Sequence, residues 1–191
     1  MAGADIGTMF GTGGADTFLG LPAADLSALE ADAVILGAPC ATPYPTVGPY
    51  CAGAPAAIRR EINADVPSHK NMDFDLGGII LEDGFRVSDA GDLAWGAEDS
   101  EANRDRIRTA VSAILDAGAV PVTIGGDDSI PTPVFQAFAG RGSYTILQID
   151  AHIDWRDEVG GERWGLSSTM RRASEMEHVS AIVQAGQRAI G

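Results

Sequence analysis

Four aspartates and one histidine crowd a short stretch of this 191-residue chain. Asp127 and Asp128 sit in Gly125-Gly-Asp-Asp-Ser129, and Asp150, His152 and Asp154 in Asp150-Ala-His-Ile-Asp154. Along an extended segment, alternate side chains project to one side, roughly 6–7 Å apart. A strand conformation carried past its end therefore points Asp150, His152 and Asp154 the same way. So many carboxylates in one place repel each other unless a cation sits among them. An oxygen-rich set with a single nitrogen donor favours a hard or borderline ion, Mn²⁺ before Zn²⁺. Taken singly, each acid has an ordinary reading: Asp127 or Asp128 caps a helix, and Asp154 makes a turn. Together, as D-x-H-x-D at a strand end with an acid pair upstream, they point to a metal site.

The elements that must position these residues are legible around them. Val120-Pro-Val-Thr-Ile124 runs into the first acid pair and Tyr144-Thr-Ile-Leu-Gln-Ile149 into the second group. Both are strand-length and nearly continuously apolar, which predicts strands buried on both faces. Pro131 to Gly140 is a helix-sized connection, so the unit reads as strand–helix–strand with parallel strands and the acids at one carboxyl edge.

Upstream, Asp32-Ala-Val-Ile-Leu-Gly37 is a further strand. Cys40 to Pro55, rich in proline and glycine, is a loop, and Ala56 to Glu61 starts a helix. Asn63 to Leu81 shows little organisation, with His69 read as solvated. Arg86 to Asp89 is a strand leading into an acidic turn at Asp92, whose acids read as turn-formers. From Asp99 to Ala117 the helical period is clear, with Ile107, Ala110, Val111, Ile114 and Leu115 on one face. Ser100 is the expected N-cap and Gly118 the expected C-terminal stop. Beyond the acids come a polar loop with Trp155 and Trp164, a helix from Thr169 to Met176, and a strand from Ala181 to Ala185. His178 reads as structural.

The paired motifs resemble the signatures of the ureohydrolases, the family of arginase, agmatinase and their guanidino-acid relatives. Asp150-Ala-His-Ile-Asp154 matches the second signature in full. In the first, Asp128 stands where the family has a histidine. The resemblance implies a three-layer α/β/α fold with a mainly parallel sheet, and Mn²⁺ as cofactor, two ions per site. It implies a small cationic guanidino substrate hydrolysed to urea and an amine, and a homo-oligomer. By position, Asp150 would bridge both ions, Asp154 and Asp128 would bind the first and His152 the second. A carboxylate at 128 adds negative charge and weakens the Lewis acidity of that ion. The stretch from Gly165-Leu-Ser-Ser to Arg171-Arg-Ala-Ser-Glu175 is similar to the agmatinase or guanidinobutyrase-like branch. Ser167 and Ser168 stand where many members carry a proton-shuttling His-Gly pair. The related deacetylase fold, with its own Asp-x-His motif, is opposed by the GGDDS pair and by Arg171 to Glu175.

The resemblance covers residues 31–191 as a partial ureohydrolase domain behind an N-terminal arm, residues 1–30. The family's later Asp-x-Asp signature finds no counterpart, so the fold is expected to be incomplete at the C-terminus, with a sheet edge and apolar surface exposed. Two functions remain open: a ureohydrolase, or a catalytically inactive half-domain that binds metal or a partner subunit.

Composition bounds the rest. The chain is 45% hydrophobic and 21% charged, with a net charge of −14, a balance that argues against nucleic acid or an anionic membrane as partner. No apolar run approaches the roughly 20 residues of a membrane span. The first residues lack a secretory signal, and Cys40 and Cys51 read as free thiols, which together place the chain in the cytoplasm.

Overall fold

β1 (Ala33–Ala38) follows from the plainest strand signal in the sequence, and all six of its residues are buried. The computed structural model describes residues 17–66 and 68–190. Residues 1–16 of the expected arm lie outside the described residues. Within the described part, a 3₁₀ turn at Phe18–Gly20 follows Thr17. The chain divides into two compact units. One comprises Met1–Gly37, Ala54–Asp92 and Ala113–Ile124; the other comprises Ala38–Gly53, Leu93–Ser112 and Gly125–Gly191.

In the first unit β1 is the middle strand of a three-stranded sheet, between β4 (Val87–Asp92) and β5 (Val120–Gly125). β1 and β4 run parallel, Val34 facing Ser88 and Gly37 facing Asp92 across an irregular register. The helix α1 (Ala54–Asp65) starts two residues before its expected position, because Pro55 is tolerated in a first turn. Its inward face is polar: Arg59 and Asn63 are buried with Pro55. Asn63 accepts from the Leu19 N–H and donates to the Thr17 carbonyl.

Arg59 corrects the reading of Asp89 and Asp92 as turn-formers. Its Nε and Nη2 donate to Asp89 at 2.8 and 2.9 Å, and Nη1 pairs with Asp92. Asp89 is only 2% exposed. It also accepts from the Phe18 and Gly91 N–H groups. The strand therefore runs on to Asp92. Gly37 has to be glycine here, since a Cβ would run into the Asp92 carboxylate.

The segment expected to lack organisation forms a small antiparallel hairpin, β2 (Met72–Asp73) with β3 (Gly78–Ile79), its turn held by the Asp73 carboxylate. His69 is not simply solvated; it is half-buried and bonded to Leu19 through its backbone N–H. The long helix α2 (Ser100–Asp116) begins at Ser100 itself, so Ser100 is the first helical residue and not the cap. Its predicted face is buried at Ile107, Ala110, Val111 and Ile114. Gly118, at φ +77°, closes it: the Gly118 N–H donates to Leu115 and the Ala119 N–H to Ile114. That double bond pattern is the glycine-terminated stop expected at this position.

In the second unit β6 (Tyr144–Ile149) pairs in parallel with β7 (Val179–Ala185), Ile146 facing Ile182 and Gln148 facing Gln184. The connection between them carries a 3₁₀ turn at Leu166–Ser168 and the short helix α4 (Thr169–Ala173). α3 (Pro131–Gln136) lies between β5 and β6 in sequence. The fold is α/β as expected, with parallel ladders.

Among the described residues β5 pairs with β1 and β6 with β7. One detail differs: neither strand is buried on both faces, since Val120, Val122, Leu147 and Ile149 are exposed. Only one face of the β6–β7 ladder is covered, so alternate residues stay in water despite the continuous apolar sequence.

Candidate metal centre

Asp128, Asp150 and Asp154 converge, each offering an oxygen, all within 4.8 Å of one another. Among the described residues this is the one such group of potential metal ligands. The Gly-Gly turn after β5 delivers the first acid. Gly126 has no room for a side chain, because a Cβ would collide with the Pro39 carbonyl and press on the Cys51 carbonyl. Asp127 then makes the turn itself: its Oδ1 accepts from the Ser129 N–H at 3.0 Å and the Ser129 hydroxyl at 2.5 Å. Asp128 shares a side-chain bond with Asp154, and its backbone carbonyl accepts from the Thr169 hydroxyl.

Asp150 follows the end of β6, where its N–H donates to the Ala185 carbonyl. The alternation expected beyond β6 is broken at Asp154, which takes φ +48°. The chain turns there, and Asp154 comes to Asp128 and Asp150 by that turn and not by strand geometry. It is fixed by a relay. The Gln148 amide donates to Asp154 Oδ2 at 2.7 Å, and Gln184 donates to Gln148 and to the Ile153 carbonyl. The Arg171 N–H holds the Asp154 carbonyl. His152 lies outside the three-carboxylate group. Its Nδ1 is 3.5 Å from Asp150 Oδ1, and the side chain is half-exposed.

Burial and neighbouring carboxylates set the electrostatics of the group. The Asp128 carboxyl is pushed up to about 8, by burial first, then by the Asp154 charge and the bond shared with it, with Asp150 and Asp127 adding. Asp154 is also raised, by burial, although the Gln148 bond opposes the rise. Asp128 Oδ2 is buried with no hydrogen-bond partner among the described residues. Such an oxygen is costly unless something positive meets it. Three carboxylates that can each offer an oxygen to one point suit a hard divalent ion. Cys40 is pushed up to about 11 by burial and the Asp127 charge and is not one of the converging groups.

Sequence reasoning named Asp128, Asp150, His152 and Asp154 but missed the groups that hold them. Gln148 and Gln184 had a visible signal: each is the one amide inside an otherwise apolar strand, and the register sets them opposite each other. Arg104 Cζ lies 5.3 Å from the centre of the Trp164 ring, and Arg104 Nη1 donates to the Thr42 hydroxyl at 2.7 Å. Ser167 donates its N–H to the Tyr44 hydroxyl.

A family model described as the Arginase family matches residues 31–191. A guanidinobutyrase of Pseudomonas aeruginosa is 30% identical over 186 residues, covering 94% of this chain and 56% of its own length. A mitochondrial agmatinase of Gallus gallus is 31% identical over 170 residues, covering 85% of this chain and 47% of its own. The chain spans about half the length of the curated relatives it matches. Among solved structures, a proclavaminate amidino hydrolase from Streptomyces clavuligerus is similar with a TM-score of 0.71 at 27% identity, over 91% of this chain and 56% of that one.

Proposed function

This chain belongs to the arginase family, and we propose that it serves the manganese-dependent hydrolysis of a guanidino compound, agmatine or a guanidino acid, to urea and an amine. The observation that carries this reading is the buried Asp128 oxygen without a partner, facing Asp150 and Asp154. Asp128, Asp150 and Asp154 would hold one ion, and His152, beside Asp150, would serve the second. Bound manganese supplies Lewis-acid charge and lowers the pKa of a water molecule.

The chain's own residues do the remaining work. The Gln184–Gln148 relay fixes Asp154, and Ser129 fixes Asp127. The carboxylates attract a guanidinium cation to the site. In the overall reaction water adds to the guanidino carbon, the bond from that carbon to the alkyl nitrogen breaks, and a proton passes to the departing amine. We also propose that the protein is a cytoplasmic homo-oligomer. No helix among the described residues is long and apolar enough to cross a membrane.

A second reading, metal or partner binding without hydrolysis, is favoured by a carboxylate at position 128. The test is urea release from agmatine and from 4-guanidinobutyrate with Mn²⁺ added, beside Asp150→Asn and His152→Ala. Metal-dependent urea that both substitutions abolish supports hydrolysis. Mn²⁺ binding without urea, lost in Asp150→Asn, supports the second reading. No Mn²⁺ binding at all sinks both.

A further inference from the structure

We propose that Arg104 is the carboxylate anchor of this site, which makes a guanidino acid, and not an amine-bearing guanidine, the substrate class the chain selects. The inference rests on the guanidino-hydrolysis reading above and deepens it.

Arg104 stands apart from its neighbours. Arg163 and Arg172 pair with Asp157, and Arg171 with Glu175. Arg104 has no carboxylate partner among the described residues, in a chain with 27 acids. Its contacts are a hydroxyl and an indole. The guanidinium lies over the Trp164 ring, a cation–π contact, and one nitrogen is taken by Thr42. The remaining donors are left for an acceptor. A part-buried guanidinium is suited to bidentate binding of a carboxylate.

A chain of hydrogen bonds ties Arg104 to the turn that carries the acids. Thr42, itself fully buried, donates its N–H to the Ser129 hydroxyl at 2.9 Å, and that hydroxyl donates to Asp127 beside Asp128. These links cap the separation of the Arg104 guanidinium from the Asp127 carboxylate at about 11 Å. An extended 4-guanidinobutyrate spans about 6 Å between its guanidino and carboxylate carbons, which lies inside that limit. Trp164 also belongs to the loop that leaves directly from Asp154. The ammonium end of agmatine, by contrast, would be brought toward a like charge.

The experiment is calorimetric binding of 4-guanidinobutyrate and of agmatine to the full chain loaded with Mn²⁺, in wild type, Arg104→Gln and Arg104→Lys. Circular dichroism on each variant reports folding. The wild type is expected to favour 4-guanidinobutyrate, and Arg104→Gln to cut the ratio of the two affinities by about 10-fold or more. Arg104→Lys, which keeps the charge but not the fork, should restore part of that ratio. A parallel loss for both ligands would make Arg104 a buttress of Trp164 and overturn the proposal, as would a wild-type preference for agmatine. If Mn²⁺ binds and neither ligand does, the guanidino reading itself falls and the proposal with it. If both ligands bind without discrimination, only the carboxylate anchor falls.

Discussion

Burial and neighbouring charge raise the Asp128 carboxyl from an ordinary carboxylate value to about 8, and a raised acid makes stability depend on pH in a definite direction. The metal-free fold holds the proton more tightly than the unfolded chain does. The stabilisation is therefore complete below the unfolded value near 3.8 and lost as pH climbs through about 8. The denaturant midpoint of the metal-free chain should fall from about pH 5 to about pH 8 and then level off, and Asp128→Asn should flatten that part of the profile. Added Mn²⁺ should restore the midpoint at the alkaline end, where the carboxylate form it binds prevails. A profile identical in wild type and Asp128→Asn would show that Asp128 is not held protonated. The acids themselves were legible, because four aspartates within two short motifs are hard to explain singly. What brings them together was not. Asp154 reaches the group through a positive φ, which aspartate tolerates but does not require. His152 lies outside the three carboxylates, its Nδ1 3.5 Å from Asp150 Oδ1.

At the scale of elements, polar pairs buried between secondary structures tie the site and the fold in place, and these depend on register. Arg59 on α1 meets Asp89 and Asp92 on β4, and its fork holds the Asp89 carboxyl below its usual range against the opposing effect of burial. Arg59→Met should destabilise the chain by about 3–5 kcal/mol, since it strands a buried carboxylate, and denaturant melts will measure it. The stability lost is of the kind present above the ordinary carboxylate pKa and surrendered as pH falls through the lowered value. The gap between wild type and Arg59→Met should therefore narrow in acid. Gln184→Leu tests the other tie. It removes the donor behind Gln148, so Mn²⁺ affinity should drop by about 10-fold or more while the circular dichroism spectrum stays unchanged. Unaltered affinity would reduce the relay to packing. Elements with local signals, such as β1 and the glycine-stopped α2, could be read from sequence almost to the residue. The Arg59 ion pairs and the glutamine relay could not, because they join positions far apart in sequence through a register that only folding sets.

For the molecule as a whole, the exposed strand faces bear on association. On β6 and β7 the facing pairs Leu147 with Val183 and Ile149 with Ala185 all lie open to water. Leu147 is 65% and Ile149 80% exposed. A run of apolar pairs on one ladder face is a surface that monomers seldom leave uncovered. The net charge of −14 opposes self-association through repulsion between copies. That repulsion is screened by salt, whereas burial of apolar faces is not. If a second copy covers this ladder face, sedimentation velocity should show a larger species whose share grows from about 0.05 M to about 0.5 M NaCl. The double substitution Leu147→Lys with Val183→Lys should return the chain to monomer at both, because two buried like charges face each other across the ladder and would have to be desolvated together. A monomer at high salt in the wild type would show that copies of this chain do not cover the face. An oligomer unmoved by the lysines would place the contact elsewhere on the surface.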